Sequence, residues 1–163
     1  MVELIGKTIT LRDMNQKEMR ALWRKYEPID NPKYSYNEEA VDALFNKLEE
    51  KSDAIKMLGI FSKSDEVIGA LTLLRIVFSE KRCELDLFLA TESHRNKGFG
   101  TEAITLIKKY AKKELGLTRI YADVSEKNLR MQALLKKCGF LNCKAFKGGM
   151  PDGSNRLSYV CVL

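Results

Sequence analysis

The stretch from Cys83 to Lys113 constrains this chain most, because its hydrophobic period changes partway through. Cys83-Glu84-Leu85-Asp86-Leu87-Phe88-Leu89 alternates like a half-buried strand. Beyond Phe99, residues Ala103, Ile107, Tyr110 and Ala111 share one helical face. Glu102 stands near the start of that helix and Lys108, Lys109, Lys112 and Lys113 near its end, as the helix dipole prefers. Between strand and helix lies Arg95-Asn96-Lys97-Gly98-Phe99-Gly100-Thr101. A strand, a glycine loop and a helix start aim backbone N–H groups and a positive dipole end at one point, which suits an anion. Gly98 and Gly100 let oxygen atoms approach the backbone where a Cβ would clash, and Arg95 and Lys97 add charge.

Lys97-Gly98-Phe99-Gly100 also matches part of an RNA-recognition signature. That fold needs the segment to continue as a strand, with aromatic side chains standing out for bases to stack upon. The helical stripe that follows argues against it. No G-x-x-x-x-G-K-[ST] loop is present, and the third glycine of a dinucleotide fingerprint is missing. The net charge of +6 favours anionic partners without choosing among them. No run is long and apolar enough to cross a membrane, and the first residues lack the pattern of a signal peptide. A cytoplasmic protein with no membrane partner is expected. Cys83, Cys138, Cys143 and Cys161 have no metal-ligand spacing and no nearby histidine, so reduced thiols and no metal are expected.

The rest of the chain reads as a single domain over residues 1–163. Thr8 to Arg12 alternates as a strand. A helix from about Asn15 carries Met19, Leu22, Trp23 and Tyr26 on one stripe, and Pro28 stops it. Glu27 to Tyr36 is a loop, and Asn37 caps a second helix. Strands are expected over Ile55–Phe61, Val67–Phe78 and Cys83–Leu89, joined by short turns and therefore antiparallel. Arg119 to Val124 is a further strand, and Asn128 caps a last helix closed by Gly139. Phe140–Lys147 and Arg156–Val162 form a closing hairpin. The order β-α-α-β-β-β-α-β-α-β-β describes an α+β domain: a mixed, mostly antiparallel sheet flanked by four helices.

Arg95-x-x-Gly98-x-Gly100 resembles the [Q/R]-x-x-G-x-[G/A] cofactor motif of the GNAT family of N-acetyltransferases. The acidic strand Glu84-Leu85-Asp86-Leu87 upstream, Asn128 after the next strand, and Lys136-Lys137-Cys138-Gly139-Phe140 at the end of the following helix extend the likeness. The element order matches over nearly the whole chain. The opening Gly6-Lys7-Thr8-Ile9-Thr10-Leu11-Arg12 is similar to the branch that includes ribosomal-protein alanine acetyltransferases.

The resemblance implies an enzyme that moves an acetyl group from acetyl-CoA to a primary amine. The acceptor would be a small-molecule amine or a protein N-terminus, with no nucleic-acid partner, and homodimers are common in the family. By the same likeness, the backbone of Arg95, Asn96, Lys97, Gly98, Phe99, Gly100 and Thr101 would hold the pyrophosphate. Phe88, Leu89 and Ala90 would pair with the pantetheine arm, and Asn128 would hydrogen-bond it. Arg130, with Lys127 and Lys136, would meet the 3′-phosphate, or else these three form a solvated cationic face.

By the same likeness Glu84, eleven residues before Arg95 where relatives commonly carry the base, or else Asp86 two residues on, would take the amine's proton. Both lie on one side of the strand, where mutual repulsion can raise one pKa. A backbone N–H near Leu89 would polarise the thioester carbonyl. Leu135 occupies the slot where relatives place an acidic tyrosine, leaving Tyr121, Cys138 or water as proton donors. Trp23 is read as packing, and Tyr34 and Tyr36, off the helical stripes, as acceptor-pocket residues. His94 is read as solvated. The alternative is a non-catalytic module that binds CoA or RNA.

Overall fold

The computed structural model describes residues 1–29 and 33–163. The expected loop from Glu27 to Tyr36 therefore lies partly outside the described residues. Eight strands form one sheet: β1 (Glu3–Ile5), β2 (Ile9–Arg12), β3 (Lys56–Ser62), β4 (Val67–Val77), β5 (Arg82–Leu89), β6 (Arg119–Ser125), β7 (Leu141–Phe146) and β8 (Arg156–Val162). Their spatial order is β1-β2-β3-β4-β5-β6-β8-β7. The four helices are α1 (Gln16–Lys25), α2 (Glu38–Glu50), α3 (Phe99–Lys113) and α4 (Leu129–Lys137). The architecture is the expected α+β domain with one added strand. β1 is too short to show a period, and it forms because Gly6 and Lys7 fold it back onto β2.

Three helices begin with an asparagine cap. Asn15 accepts from the Glu18 N–H, and Glu18 reaches back to the Asn15 N–H in a reciprocal capping box. Asn37 caps the Ala40 N–H, and Asn128 the Met131 N–H. α3 differs: Gly98 precedes it and no side chain caps it.

β4 is buried from Val67 to Leu73 because both faces of the sheet are covered there. On one face α3 and α4 contribute Ala103, Ile104, Ile107, Ala111 and Leu135 to the main core. On the other, Leu22 of α1 packs with Phe61, Val67, Ala70 and Ala90. α2 is fastened to α1 through a two-pronged Arg20–Asp42 contact at 2.8 and 2.6 Å.

The pairing of β5 positions the site. β5 stays antiparallel to β4 through Leu89. It runs parallel to β6 only from Arg82–Arg119 to Glu84–Tyr121. Past that point β6 continues along β8 while β5 stays with β4. The sheet therefore splays open beside Asp86–Leu89.

Candidate active site

A cleft of about 880 Å³ occupies the splay. Asp86 to Leu89 line one side, the loop from Arg95 to Thr101 another, and α4 contributes Asn128, Arg130, Met131 and Leu134. Trp23 and Tyr26, from the end of α1, close the far end.

The β4–β5 register decides which main-chain groups face the splay. The Ala90 N–H donates to the Ile68 carbonyl at 2.9 Å. Antiparallel alternation then commits Phe88 and Asp86 to β4 and turns Leu87 and Leu89 outward. The Leu87 N–H donates to its neighbour Asp86 Oδ1 at 2.9 Å, and Leu89 O accepts from Arg95 at 3.0 Å. The Leu87 carbonyl and the Leu89 N–H remain for an extended partner. Of Phe88, Leu89 and Ala90, only Leu89 presents its backbone as expected. Ala90 O already accepts from the Glu27 N–H at 2.7 Å.

The glycine loop lines the cleft between the end of β5 and α4. Among the described residues, no acceptor meets the N–H groups of Asn96, Lys97, Gly98, Phe99, Gly100 or Thr101. The loop's curvature rests on two left-handed residues, Asn96 at φ 59° and Gly98 at φ 84°. A Cβ on Gly98 would meet nothing within 4 Å. Gly100 has a different job from the one expected: its Cβ would lie 3.0 Å from Leu134 and 3.4 Å from Leu87, so it sets the approach of α4 and β5 to α3.

Arg95 also departs from expectation. Its N–H closes a turn onto Glu92 O at 3.1 Å. Its side chain is only 9% exposed, and its guanidinium donates to Glu92 at 2.9 Å and to the carbonyls of Glu27 at 2.7 Å and Leu89 at 3.0 Å. It pins the loop to the end of β5 and the exit of α1, and does not point into the cleft as a free cation. Arg95→Ala is expected to lower unfolding stability by about 2 kcal/mol, because it removes the hydrogen bonds of a charged donor to Glu92, Glu27 O and Leu89 O. Arg95→Lys should restore little, since an ammonium cannot span these acceptors in one plane. Thermal and urea unfolding read both.

Asn128 uses its Oδ1 for the α4 cap at 3.0 Å, leaving its amide NH₂ as a donor on the cleft wall. Arg130 lines the cleft and contacts Glu92 at 3.3 Å. Held by Arg95 and Arg130, the Glu92 carboxyl sits below the usual range. Lys127 instead pairs with Asp152 of the β7–β8 loop at 3.2 Å. Lys137, and not Lys136, lines the cleft.

The two carboxylates part company. Asp86 is exposed and lines the cleft. Glu84 forms an ion pair with Arg75 and lines a second cavity on the same sheet face. Arg75 stands at a bulge with φ 45°. The expected coupling of two neighbouring anions is thus interrupted by a cation.

Tyr34 and Tyr36 do not line the cleft. The Tyr34 hydroxyl donates to Trp23 O at 2.8 Å, and Tyr36 lies under Arg24 at 5.1 Å. Trp23 and Tyr26 take their place, packed against Phe88 at 5.1 and 5.0 Å between ring centroids. Trp23 both packs and lines the cleft, and its indole N–H is buried without a partner among the described residues.

Leu135 is fully buried in the main core, and Met131 and Leu134 face the cleft from α4. Of the candidate acids, Cys138 is buried, which raises its thiol pKa, and Tyr121 lies in the second cavity. Neither lines the cleft. His94 bonds Thr91 at 2.7 Å and stays outside it. The Lys-Gly-Phe-Gly segment enters α3 and not a strand, so it offers no sheet of aromatics for RNA bases.

Residues 8–141 match the family model described as an acetyltransferase (GNAT) domain. A probable N-acetyltransferase of Bacillus subtilis (strain 168), YjcK, is 31% identical over 150 residues, covering 84% of this chain and 82% of that protein. An uncharacterized N-acetyltransferase of the same organism, YnaD, is 27% identical over 157 residues, covering 94% and 91%. Among solved structures, a chimera of spermidine N-acetyltransferase SpeG from Vibrio cholerae and hSSAT superposes with a TM-score of 0.86 at 19% identity, covering 96% of each chain. A putative ribosomal-protein-serine acetyltransferase from Vibrio cholerae gives 0.83 at 15% identity, covering 99% and 98%. At such identities the solved structures speak for the fold, while the family model and the YjcK match reach the sequence itself. On that ground this chain belongs to the GNAT family of acetyl-CoA-dependent N-acetyltransferases.

Proposed function

We propose that this chain transfers the acetyl group of acetyl-CoA to a primary amine by direct attack within a ternary complex. The observation that carries this is the uncapped start of α3. A run of unsatisfied N–H groups, from Asn96 to Thr101, opens onto a cleft whose strand edge is also unpaired. Three helices spend an asparagine on their first turn and this one does not. Acetyl-CoA fits the donor set, since its pyrophosphate matches the loop, an amide N–H of its arm matches the Leu87 carbonyl and its thioester carbonyl matches the Leu89 N–H. Arg130 and Lys137 supply cations on the same wall. When bound, acetyl-CoA supplies the acetyl thioester.

The chain's own groups do the remainder. Asp86 takes the proton of the incoming ammonium, because a protonated amine has no lone pair to offer. The Leu87 N–H fixes one of its oxygens, leaving the other to act. The Leu89 N–H donates to an oxygen that gains charge in the splay. Met131 and Leu134 make the α4 side apolar and strengthen that interaction. A thiol pKa of about 8.5 lets the thiolate leave unaided, so the missing tyrosine is tolerated. Among the structures of similar fold, one is named a spermidine N-acetyltransferase, with a small amine as acceptor, which supports the acceptor class. A dodecameric spermidine N-acetyltransferase is among them, which supports self-association here, from a homodimer upward.

Initial velocities measured while varying acetyl-CoA and an accepted amine test the direct route. Intersecting double-reciprocal lines are expected. Parallel lines, together with an acetylated protein recovered without acceptor, would overturn it.

A further inference from the structure

A second cavity, of about 500 Å³, lies on the sheet face that carries Glu84 and Asp86. β5, β6 and β8 floor it, and among the described residues none from α1 to α4 lines it. Four arginines, Arg75, Arg82, Arg119 and Arg156, surround three carboxylates, Glu80, Glu84 and Asp123. The register places Glu84 beside Tyr121, and Ser125 beside Arg156, so these side chains share the Asp86 face.

The charges are not evenly matched. Glu84 is taken by Arg75, and Glu80 by Arg82. Arg119 has no carboxylate partner among the described residues and donates to the Tyr121 hydroxyl at 3.1 Å. Arg156 lies over the Phe146 ring at 4.2 Å and reaches Asp123 only at 3.9 Å, too far for a hydrogen bond. Its Nε–H is buried with no acceptor among the described residues, while the side chain as a whole is 37% exposed. A buried donor on a charged group is costly to leave unmet, and a fork of guanidinium donors matches an oxyanion. A polyamine tail would find no open carboxylate here, because each pairs with or faces an arginine.

We infer that the acceptor amine carries an anionic group, a carboxylate or phosphate, which Arg156 and Arg119 receive while the amine stands at Asp86. The inference rests on the acetyltransferase reading. Arg156 lies two strands from β5 across the splay, so its Cα and that of Asp86 are separated by more than roughly 10 Å, the span of two ordinary strand spacings. The aromatic end of the cleft, Trp23 and Tyr26, then holds the apolar part near the amine.

The test compares four primary amines of similar length, ending in a carboxylate, a phosphate monoester, an alcohol or an ammonium. Wild type and the double variant Arg119→Gln/Arg156→Gln are assayed at saturating acetyl-CoA. For an anionic amine, kcat/KM at least about tenfold above the alcohol is expected. The double variant should lose that advantage while its acetyl-CoA dissociation constant stays unchanged. The carboxylate and phosphate arms say which oxyanion the site takes. Equal or better use of the alcohol or ammonium amine, or an advantage that survives the double substitution, overturns the inference. Should no amine react, titration of the acetyl-CoA-saturated protein with glutarate and with inorganic phosphate decides: binding lost in the double variant supports it, and no binding to wild type overturns it. Failure to bind acetyl-CoA at all sinks the acetyltransferase reading instead, and the same anion titrations of the free protein then decide whether the oxyanion site exists.

Discussion

Asp86→Asn is expected to reduce kcat/KM by about 10²–10³, the usual worth of a positioned general base, with the acetyl-CoA dissociation constant little changed. The substitution keeps the size of the side chain and an oxygen for the Leu87 N–H, so the local strand is preserved. It removes the ability to accept a proton. Glu84→Gln should cost less than about tenfold for a neutral amine, because Glu84 lies outside the cleft and is held by Arg75. The contrast matters because the sequence offers both carboxylates on one face, and the family likeness points first to Glu84, whereas the structure puts Asp86 in the cleft. Steady-state kinetics on the two variants, with rate followed against pH, separates them. A large loss in Glu84→Gln and a small one in Asp86→Asn would assign the proton transfer to the wrong residue here.

Gly98→Glu is expected to weaken acetyl-CoA binding by at least about tenfold, equivalent to about 1.4 kcal/mol. Two effects act together. The backbone at φ 84° is left-handed, which a side chain tolerates poorly. The added side chain also projects into open space beside the unsatisfied N–H groups, bringing a carboxylate to where an anion is meant to bind. Gly116→Glu is the matching control. Gly116 has φ 65° and the same open surroundings, but follows the other end of α3. Both variants should lose comparable stability, and only Gly98→Glu should lose the ligand. If Gly116→Glu weakens binding equally, the loss reports on α3 as a whole.

Much of the scaffold is legible in the sequence because its signals are local. The change of period at Phe99 separates β5 from α3, and Asn15, Asn37 and Asn128 mark helix starts that the structure keeps. β1 escapes because three residues cannot display alternation. That β8 lies between β6 and β7 depends on long-range pairing, which a hairpin pattern does not specify.

The site is legible where chemistry is carried by loop backbone and less so where it depends on register. Phe88, Leu89 and Ala90 look equivalent along the chain, and only the pairing with β4 reveals that Leu89 alone turns its backbone to the splay. Arg95 reads as ligand charge until its three internal acceptors are seen. Trp23 and Tyr26 satisfy the spacing of a core stripe, yet the last turn of α1 stands at the splay, so one side of the aromatic cluster faces the cleft. Tyr34, off the stripe, is spent fastening that turn through the Trp23 carbonyl.

Calorimetric titration of the unmodified protein with acetyl-CoA decides whether the splay is a cofactor site. A saturable, single-site isotherm with a matching rise in melting temperature is predicted, since the free N–H groups of the α3 loop and the open edge at Leu89 would gain partners. No heat and no thermal stabilisation would contradict it: the splay would then be a feature of the fold without its ligand, and the acetyl-transfer account of this chain would fall.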